Sequence, residues 1–331
     1  MSRRWRLEGI SLWEIWVIWL LFGLAAAAVF ETYWRLPPSE LWKVTNSGFA
    51  GGAGRAFVFL SFSAAVAAPA VLAIVADRLD DRRAKLAAII SFLLCATVAL
   101  PGVQTPNQLD PKWANLPAVI GVALAVLLTV WASRRGRTEL LRASRAGNRA
   151  RLIVGALVLF FTAPYLAAEL GFYLDGIPVL GWIFQTGAIR IEPGAGYYHS
   201  AVHHGHHHGL DGFLLAVTVL LLSRLLGGIR RPILRAATCF YLSLMLVYGL
   251  TNEANDLWDE QIVKRGWTGW QIPDVLQPSA SAAWAAMIAV AVLFSLTLFR
   301  PRSARSDGKE RKGLAHSLAR KPFLKRYFAC K

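Results

Sequence analysis

Six of the chain's seven histidines fall in one ten-residue run: His199, His203, His204, His206, His207 and His208. Imidazole is the commonest side-chain ligand of transition metals and the side chain that titrates nearest neutral pH, so the run points to metal chemistry or proton handling. A long apolar segment begins at Leu210. If its helix extends backwards, His199, His203, His207 and Asp211 recur every four residues and share one face. His204 and His208 then form an adjacent stripe, and two histidines at i and i+4 can share one ion. Gly205 and Gly209 also allow a helix through His204 followed by a loop. A metal-sequestering loop without catalysis and a pH-responsive patch are the blander readings of the same composition.

A second group follows the seventh apolar run: Asn252, Glu253, Asn255, Asp256, Asp259 and Glu260. Glu253, Asp256 and Asp259 or Glu260 are three and four apart and line one helical face. Glu253 and Asp256 are the expected catalytic residues, completing the coordination or acting as base. The expected metal ligands are His199, His203, His204, His207, Asp211 and Glu169, the last placed at the end of the fifth apolar run near Glu31, which follows the first. Mixed imidazole and carboxylate ligands suit zinc, iron, manganese or copper(II). Outer cysteine and methionine are absent, which argues against a copper(I) site.

His199-x-x-x-His203-His204 and His204-x-x-His207-His208 resemble the histidine boxes of the membrane fatty-acid desaturase and hydroxylase superfamily. In that family, separated boxes surround two irons on the cytoplasmic side. Here the boxes overlap in one run, cover less than a twentieth of the chain, and point outward by charge. The resemblance implies an analogy of chemistry, not kinship.

The elements that must position these groups are apolar. The chain has 331 residues, of which 55% are hydrophobic and 17% charged, with a mean hydropathy of +0.43. Eight runs of membrane-crossing composition are legible: residues 10–30, 56–76, 86–103, 116–132, 152–170, 210–226, 233–250 and 282–299. Each has about 17–21 residues, enough to cross some 30 Å of hydrocarbon, and in lipid such runs must be helical. The expected fold is an all-α polytopic bundle of about eight transmembrane helices over residues 1–300, with a basic tail at 301–331. Cys95, Cys239 and Cys330 form no disulfide framework and no zinc or redox motif.

Charge sets the expected orientation. With the N-terminus inside, 29 of the 36 lysines and arginines fall in inner segments and only seven in outer ones. That is a positive-inside pattern, placing both termini in the cytoplasm and the histidines on the outer face. The outer connections at 31–55, 171–209 and 251–281 are the long ones, and the outer side as a whole, with Asp110, Lys112, Glu169 and Asp211, holds twelve acidic residues against seven basic. The residues around 172–189 are apolar but broken by Gly176, Pro178 and Gly181, as in a re-entrant or interfacial piece. The net charge of +16 is spread over short inner loops, so nucleic acid is not an expected partner; anionic headgroups account for it. The tail mixes Leu314, Leu318, Phe323, Leu324 and Phe328 with cations and fits an interfacial or a disordered segment. Arg3, Arg4 and the Ala25–Ala27 stretch resemble a cleavable signal, but the apolar run is long for one and carries Trp13, Trp16 and Trp19.

Together these features predict a metalloprotein of a bacterial inner or plasma membrane, with a His/carboxylate site on the extracytoplasmic face. It would act as an oxidoreductase or hydrolase on a lipid-soluble substrate, with lipids and membrane-protein subunits as partners. The alternatives are a divalent-metal uptake component and a non-catalytic subunit of a membrane complex. Uptake would need polar residues deep in the bundle, and Ser61, Ser63, Thr97, Thr162, Thr218 and Ser243 are the few candidates.

Overall fold

A computed structural model describes residues 12–41, 44–79, 81–104, 109–134, 147–191, 196–205 and 208–298. About 72% is helical. The helices are α1 (Trp13–Arg35), α2 (Gly48–Phe59), α3 (Ala65–Arg78), α4 (Arg82–Ala96), α5 (Leu116–Arg134), α6 (Asn148–Glu169), α7 (Leu180–Ile183), α8 (His208–Leu222), α9 (Pro232–Trp258) and α10 (Ala282–Thr297). Each apolar run of the sequence holds one of them, or in one case the α2–α3 pair. Among the described residues, the two named strands form an antiparallel hairpin, β1 (Ile189–Ile191) with β2 (Tyr198–Ser200), which pairs Arg190 with His199.

Among the described residues, five helical stretches are long and apolar enough to cross a membrane: Trp13–Arg35, Gly48–Arg78, Trp113–Arg134, Asn148–Glu169 and Pro232–Val263. This is compatible with an integral membrane protein. The other three runs hold shorter helices than their apolar length predicts. α4 and α8 have 15 residues each and α10 has 16, so each reaches only about 22–24 Å at 1.5 Å per residue. α4 tightens into a 3₁₀ turn at Thr97–Ala99 ahead of Pro101, where the ring fixes φ and removes an N–H.

Two π-helical turns decide which side chains face inward. Leu60–Ala64 joins α2 to α3 and buries Ser61, Phe62, Ser63 and Ala64 in succession. Asp259–Val263 extends α9 and buries Glu260 and Gln261. The inserted residue of a π turn rotates the following side chains relative to an α-helix, and such turns are frequent at functional sites. Most deep hydroxyls are spent locally: Ser61 donates to the Val58 carbonyl, Thr97 to Leu94 and Ser243 to Cys239, which is the usual side-chain-to-backbone bond of a helix.

α8 and α9 approach closely because glycines face each other. A Cβ on Gly212 would lie 2.5 Å from the Gly249 carbonyl oxygen, and one on Gly249 would lie 2.9 Å from that of Gly212. Small residues allow this contact between backbones. The bundle has two unlike ends. At one, arginines bond across helices: Arg78 Nη2 donates to the Gly228 carbonyl at 2.7 Å, Arg224 pairs with Glu14 at 3.1 Å, and Arg151 Nε donates to Ser223 Oγ at 2.9 Å. The other end gathers the C-terminal turns of α1, α6 and α9, the N-terminal turns of α2 and α8, and the hairpin.

Candidate functional site

The histidine run is not one helix. His199 lies in β2, His203 and His204 lie in the turn after it, and α8 begins only at His208. The expected four-residue stripe through His199, His203, His207 and Asp211 therefore does not form, nor does a helix through His204. The physical cause is at Gly205, whose φ is +73° and whose Cβ, if it had one, would collide with the Tyr33 hydroxyl. Only glycine takes that left-handed conformation at no steric cost. The turn is held from two sides: Gly205 N–H donates to the Ala168 carbonyl at 3.2 Å, and Tyr33 Oη donates to the Gly205 carbonyl at 3.2 Å. His206 and His207 lie outside the described residues.

α9 keeps the predicted acidic face and extends it. Glu253, Asp256 and Glu260 are all buried, and the π turn brings Lys264 onto the same face. Lys264 has three donors, and each meets an acceptor: Glu260 Oε2 at 2.6 Å, the Ala201 carbonyl at 3.0 Å and His199 Nε2 at 3.5 Å. His199 Nδ1 lies 2.5 Å from the Ser200 carbonyl. A carbonyl oxygen only accepts, so the imidazole proton belongs on Nδ1 and the Nε2 lone pair faces the ammonium. The His203 ring stands edge-on to His199 with centroids 5.8 Å apart. The histidine run and the acidic segment thus meet, but at this point a lysine stands between imidazole and carboxylate. Sequence reading counted Lys264 only as an outer charge, although its spacing of four from Glu260 is the signal for an ion pair on a helix.

They meet a second time one turn earlier. His208 Nδ1 lies 3.7 Å from Asp256 Oδ1. Next to Asp256, Glu253 Oε1 takes the Thr162 hydroxyl at 2.9 Å, a proton for which the Val158 carbonyl competes at 2.7 Å. Glu253 Oε2 is buried with no hydrogen-bond partner among the described residues. Tyr165, fully buried, is in electrostatic reach of Glu253, Asp256, Asp259 and Glu260, and its ring fills the space where a Cβ on Gly209 would sit. The sequence does not single out Tyr165, and it points to Thr162 only as one of the polar residues deep in the bundle.

The other expected ligands lie elsewhere. Asp211 faces into the bundle and accepts from Ser63 of the first π turn. Glu169 is buried at the end of α6, where its carbonyl accepts from Thr32. Its carboxylate is in electrostatic reach of Tyr33, which also carries the Arg55 guanidinium 5.8 Å from its ring centroid. Glu31 is exposed and paired with Arg35 at 2.9 Å. His204 is buried and stacks on Tyr173 with ring centroids 4.3 Å apart. Burial lowers the His204 pKa; Glu40 opposes that and Arg35 reinforces it. Burial raises the Tyr173 hydroxyl, which donates to Ser200 at 2.9 Å and so ties the hairpin to the same wall.

Among the described residues, no group of three or more histidine, cysteine, aspartate or glutamate side chains is close enough to hold one ion. Among the described residues, His208 Nδ1 and Asp256 Oδ1 bring an imidazole and a carboxylate to 3.7 Å, donor types that together suit a metal. Neither a protein-family model, nor a curated protein, nor a solved structure matches the chain.

Proposed function

We propose that the protein is an integral membrane metalloprotein whose site lies where the histidine run meets the acidic face of α9, and that it acts there as an oxidoreductase or hydrolase on a membrane-soluble substrate. The observation that carries this reading is Glu253 Oε2, a buried carboxylate oxygen with no hydrogen-bond partner among the described residues, one turn from the His208–Asp256 pair. A buried anionic oxygen left in that state costs free energy that a bound cation removes. Imidazole and carboxylate together suit zinc, iron, manganese or copper(II).

In this reading Asp256 and His208 are the nearest ligands and Glu253 the next, while His199, engaged by Lys264 and the Ser200 carbonyl, stands outside the set. The ion would supply activated water or dioxygen. Thr162 holds Glu253 by Oε1, so Oε2 would either complete the coordination or, with the ion held by the other ligands, act as the general base. Tyr165 and Gly209 close the space behind the carboxylates and exclude water. Lys264 pairs with Glu260, so the carboxylates of this face nearest His208 are Asp256 and Glu253.

The finer topology belongs to the same proposal: eight crossings, both termini cytoplasmic, and the histidine end facing outward across a bacterial inner membrane. The arginine-bonded end supports it, since cytoplasmic ends collect arginine and lysine. Lipids are the expected partners, with other membrane subunits as further ones. Metal uptake has less support, because Ser61, Thr97 and Ser243 donate to carbonyls of their own helices.

The test is elemental analysis of the detergent-purified protein after metal-replete expression. Near-stoichiometric transition metal is expected, lost in a His208→Ala, Asp256→Asn double variant that retains its helical circular dichroism. A parent protein without metal, or full metal in that variant, would overturn the assignment.

A further inference from the structure

A cavity of about 270 Å³ lies between α3, α4, α9 and α10. Its walls are Phe62, Val66, Phe92, Leu244, Met245 and Trp284, with Cys95, Tyr241 and Tyr248 also lining it. The tyrosine hydroxyls of this wall are engaged, while Trp284 Nε1 is buried without a hydrogen-bond partner among the described residues. Tyr241 Oη donates to the Val66 carbonyl at 2.6 Å, and Tyr248 Oη donates to the Leu276 carbonyl at 2.9 Å. The space therefore presents hydrocarbon and aromatic surface to whatever enters it. Protein interiors pack as densely as organic crystals, and empty volumes beyond a water molecule are few. A dry apolar void of this size takes up apolar guests.

Position says which guest. Two walls come from the middle of apolar stretches of membrane-crossing length, Phe62–Pro69 in Gly48–Arg78 and Tyr241–Tyr248 in Pro232–Val263, and a third, Phe92–Ala99, is the last turn of α4 with the 3₁₀ turn that follows it. The mouth is on this third wall, where Phe92 is 46% exposed and Ala96 and Ala99 are exposed too. In a bilayer that mouth faces acyl chains, not water. Pro69, inside α3, also lines the space and lacks the N–H of a helical hydrogen bond.

The cavity also adjoins the polar site. Tyr248, in its wall, precedes Asn252 and Glu253 by about one turn. Asn252 Nδ2 donates to the Tyr248 carbonyl at 2.9 Å, and the Asp211 carboxylate is in electrostatic reach of the Tyr248 hydroxyl. An amphiphile with its tail below Tyr248 would therefore carry its head toward Asn252 and Asp211, and Asp211 is followed by Gly212, which packs against Glu253.

We infer that this cavity is a binding site for the hydrocarbon tail of a membrane lipid, and that such an amphiphile is the substrate class of the site above it. The second half rests on the metal-site reading; the first does not. An acyl-chain lipid and an isoprenoid quinone share the required tail chemistry, and the test separates them.

The purified protein is reconstituted in liposomes containing either a diazirine-tailed phosphatidylcholine or a diazirine-tailed isoprenyl benzoquinone, illuminated, and mapped by peptide mass spectrometry. Cross-links concentrated on Phe92–Ala99 and Leu244–Tyr248 are expected for at least one probe, and the probe that labels names the source. Ala96→Trp at the mouth and Ala65→Leu in the wall fill the space from opposite sides. Each should cut labelling there at least five-fold, with thermal stability and labelling of the lipid-facing side of α5 unchanged. Labelling spread evenly over the lipid-facing helices, or undiminished in both variants, overturns the tail site. Metal content measured on the same samples separates the two readings. Cavity labelling in a protein that binds no metal keeps the tail site and removes the metal site, and the reverse pattern does the opposite.

Discussion

Lys264 and His199 face each other at 3.5 Å, and the imidazole nitrogen is the third acceptor of an ammonium already bound to Glu260 and to the Ala201 carbonyl. One buried cation thus joins the last turn of α9 to the hairpin that carries the start of the histidine run. The Lys264 side chain is only 1% exposed and that of Glu260 8%, so solvent does little to screen the pair.

Removing one partner of a buried ion pair leaves an uncompensated charge and typically costs about 3–5 kcal/mol. Lys264→Met should therefore lower thermal stability markedly, and Lys264→Met combined with Glu260→Leu should recover much of the loss. Thermal unfolding in detergent measures both. A single variant as stable as the parent would show that the ion pair contributes nothing.

Metal removal should act through mass action. If Asp256 and His208 hold an ion, saturating metal at about a hundred times its dissociation constant adds about 2.7 kcal/mol to the folded state. Dialysis against a chelator should lower the melting temperature, and added metal should restore it. Asp256→Asn should abolish that response. An unchanged response in the variant places the ion elsewhere.

Stability should also fall in mild acid through His204. Its ordinary value is near 6.5, and burial beside Tyr173 lowers it, so the folded state binds this proton less readily than the unfolded state. The sign follows from linkage: the contribution is intact above the unfolded value and is lost as pH falls below it toward the lowered folded value. His204→Phe keeps the stack on Tyr173 and should flatten the pH dependence of melting between pH 7.5 and 5. A variant that melts with the parent's pH profile would assign the effect to other groups.

The Gly212–Gly249 contact has no room for a methyl group, and both atoms that would meet one are backbone. Gly212→Ala should cost about 1–3 kcal/mol, the usual penalty of overpacking. Denaturant titration of the reconstituted protein reads the change. Gly227→Ala, where nothing lies within 4 Å of an added Cβ, is the control and should be close to neutral.

The apolar runs made the helices legible, because hydrocarbon-length stretches without charge have few other folds open to them. Their lengths were less legible. The run ending at Leu250 continues as helix through Asn252, Glu253 and Asp256, since those polar side chains find partners in Tyr248, Thr162 and His208. The shape of the histidine run was hidden for a different reason. A regular spacing of four suggests a helix, but Gly205 answers to Tyr33, which lies 172 residues away. The acidic face was readable from spacing alone. The lysine that completes it was readable too, but only if charge is weighed as a buried pair and not as a topology signal.

The stretch Pro232–Val263 is a nearly continuous rod of 32 residues, close to 48 Å at 1.5 Å per residue. A hydrocarbon layer of about 30 Å cannot contain it upright, so the rod must lean or stand proud of the lipid. The depth of Glu253 and Asp256 then follows the thickness of the host bilayer. Thinner membranes would lift the carboxylates toward water and thicker ones would draw them into oil.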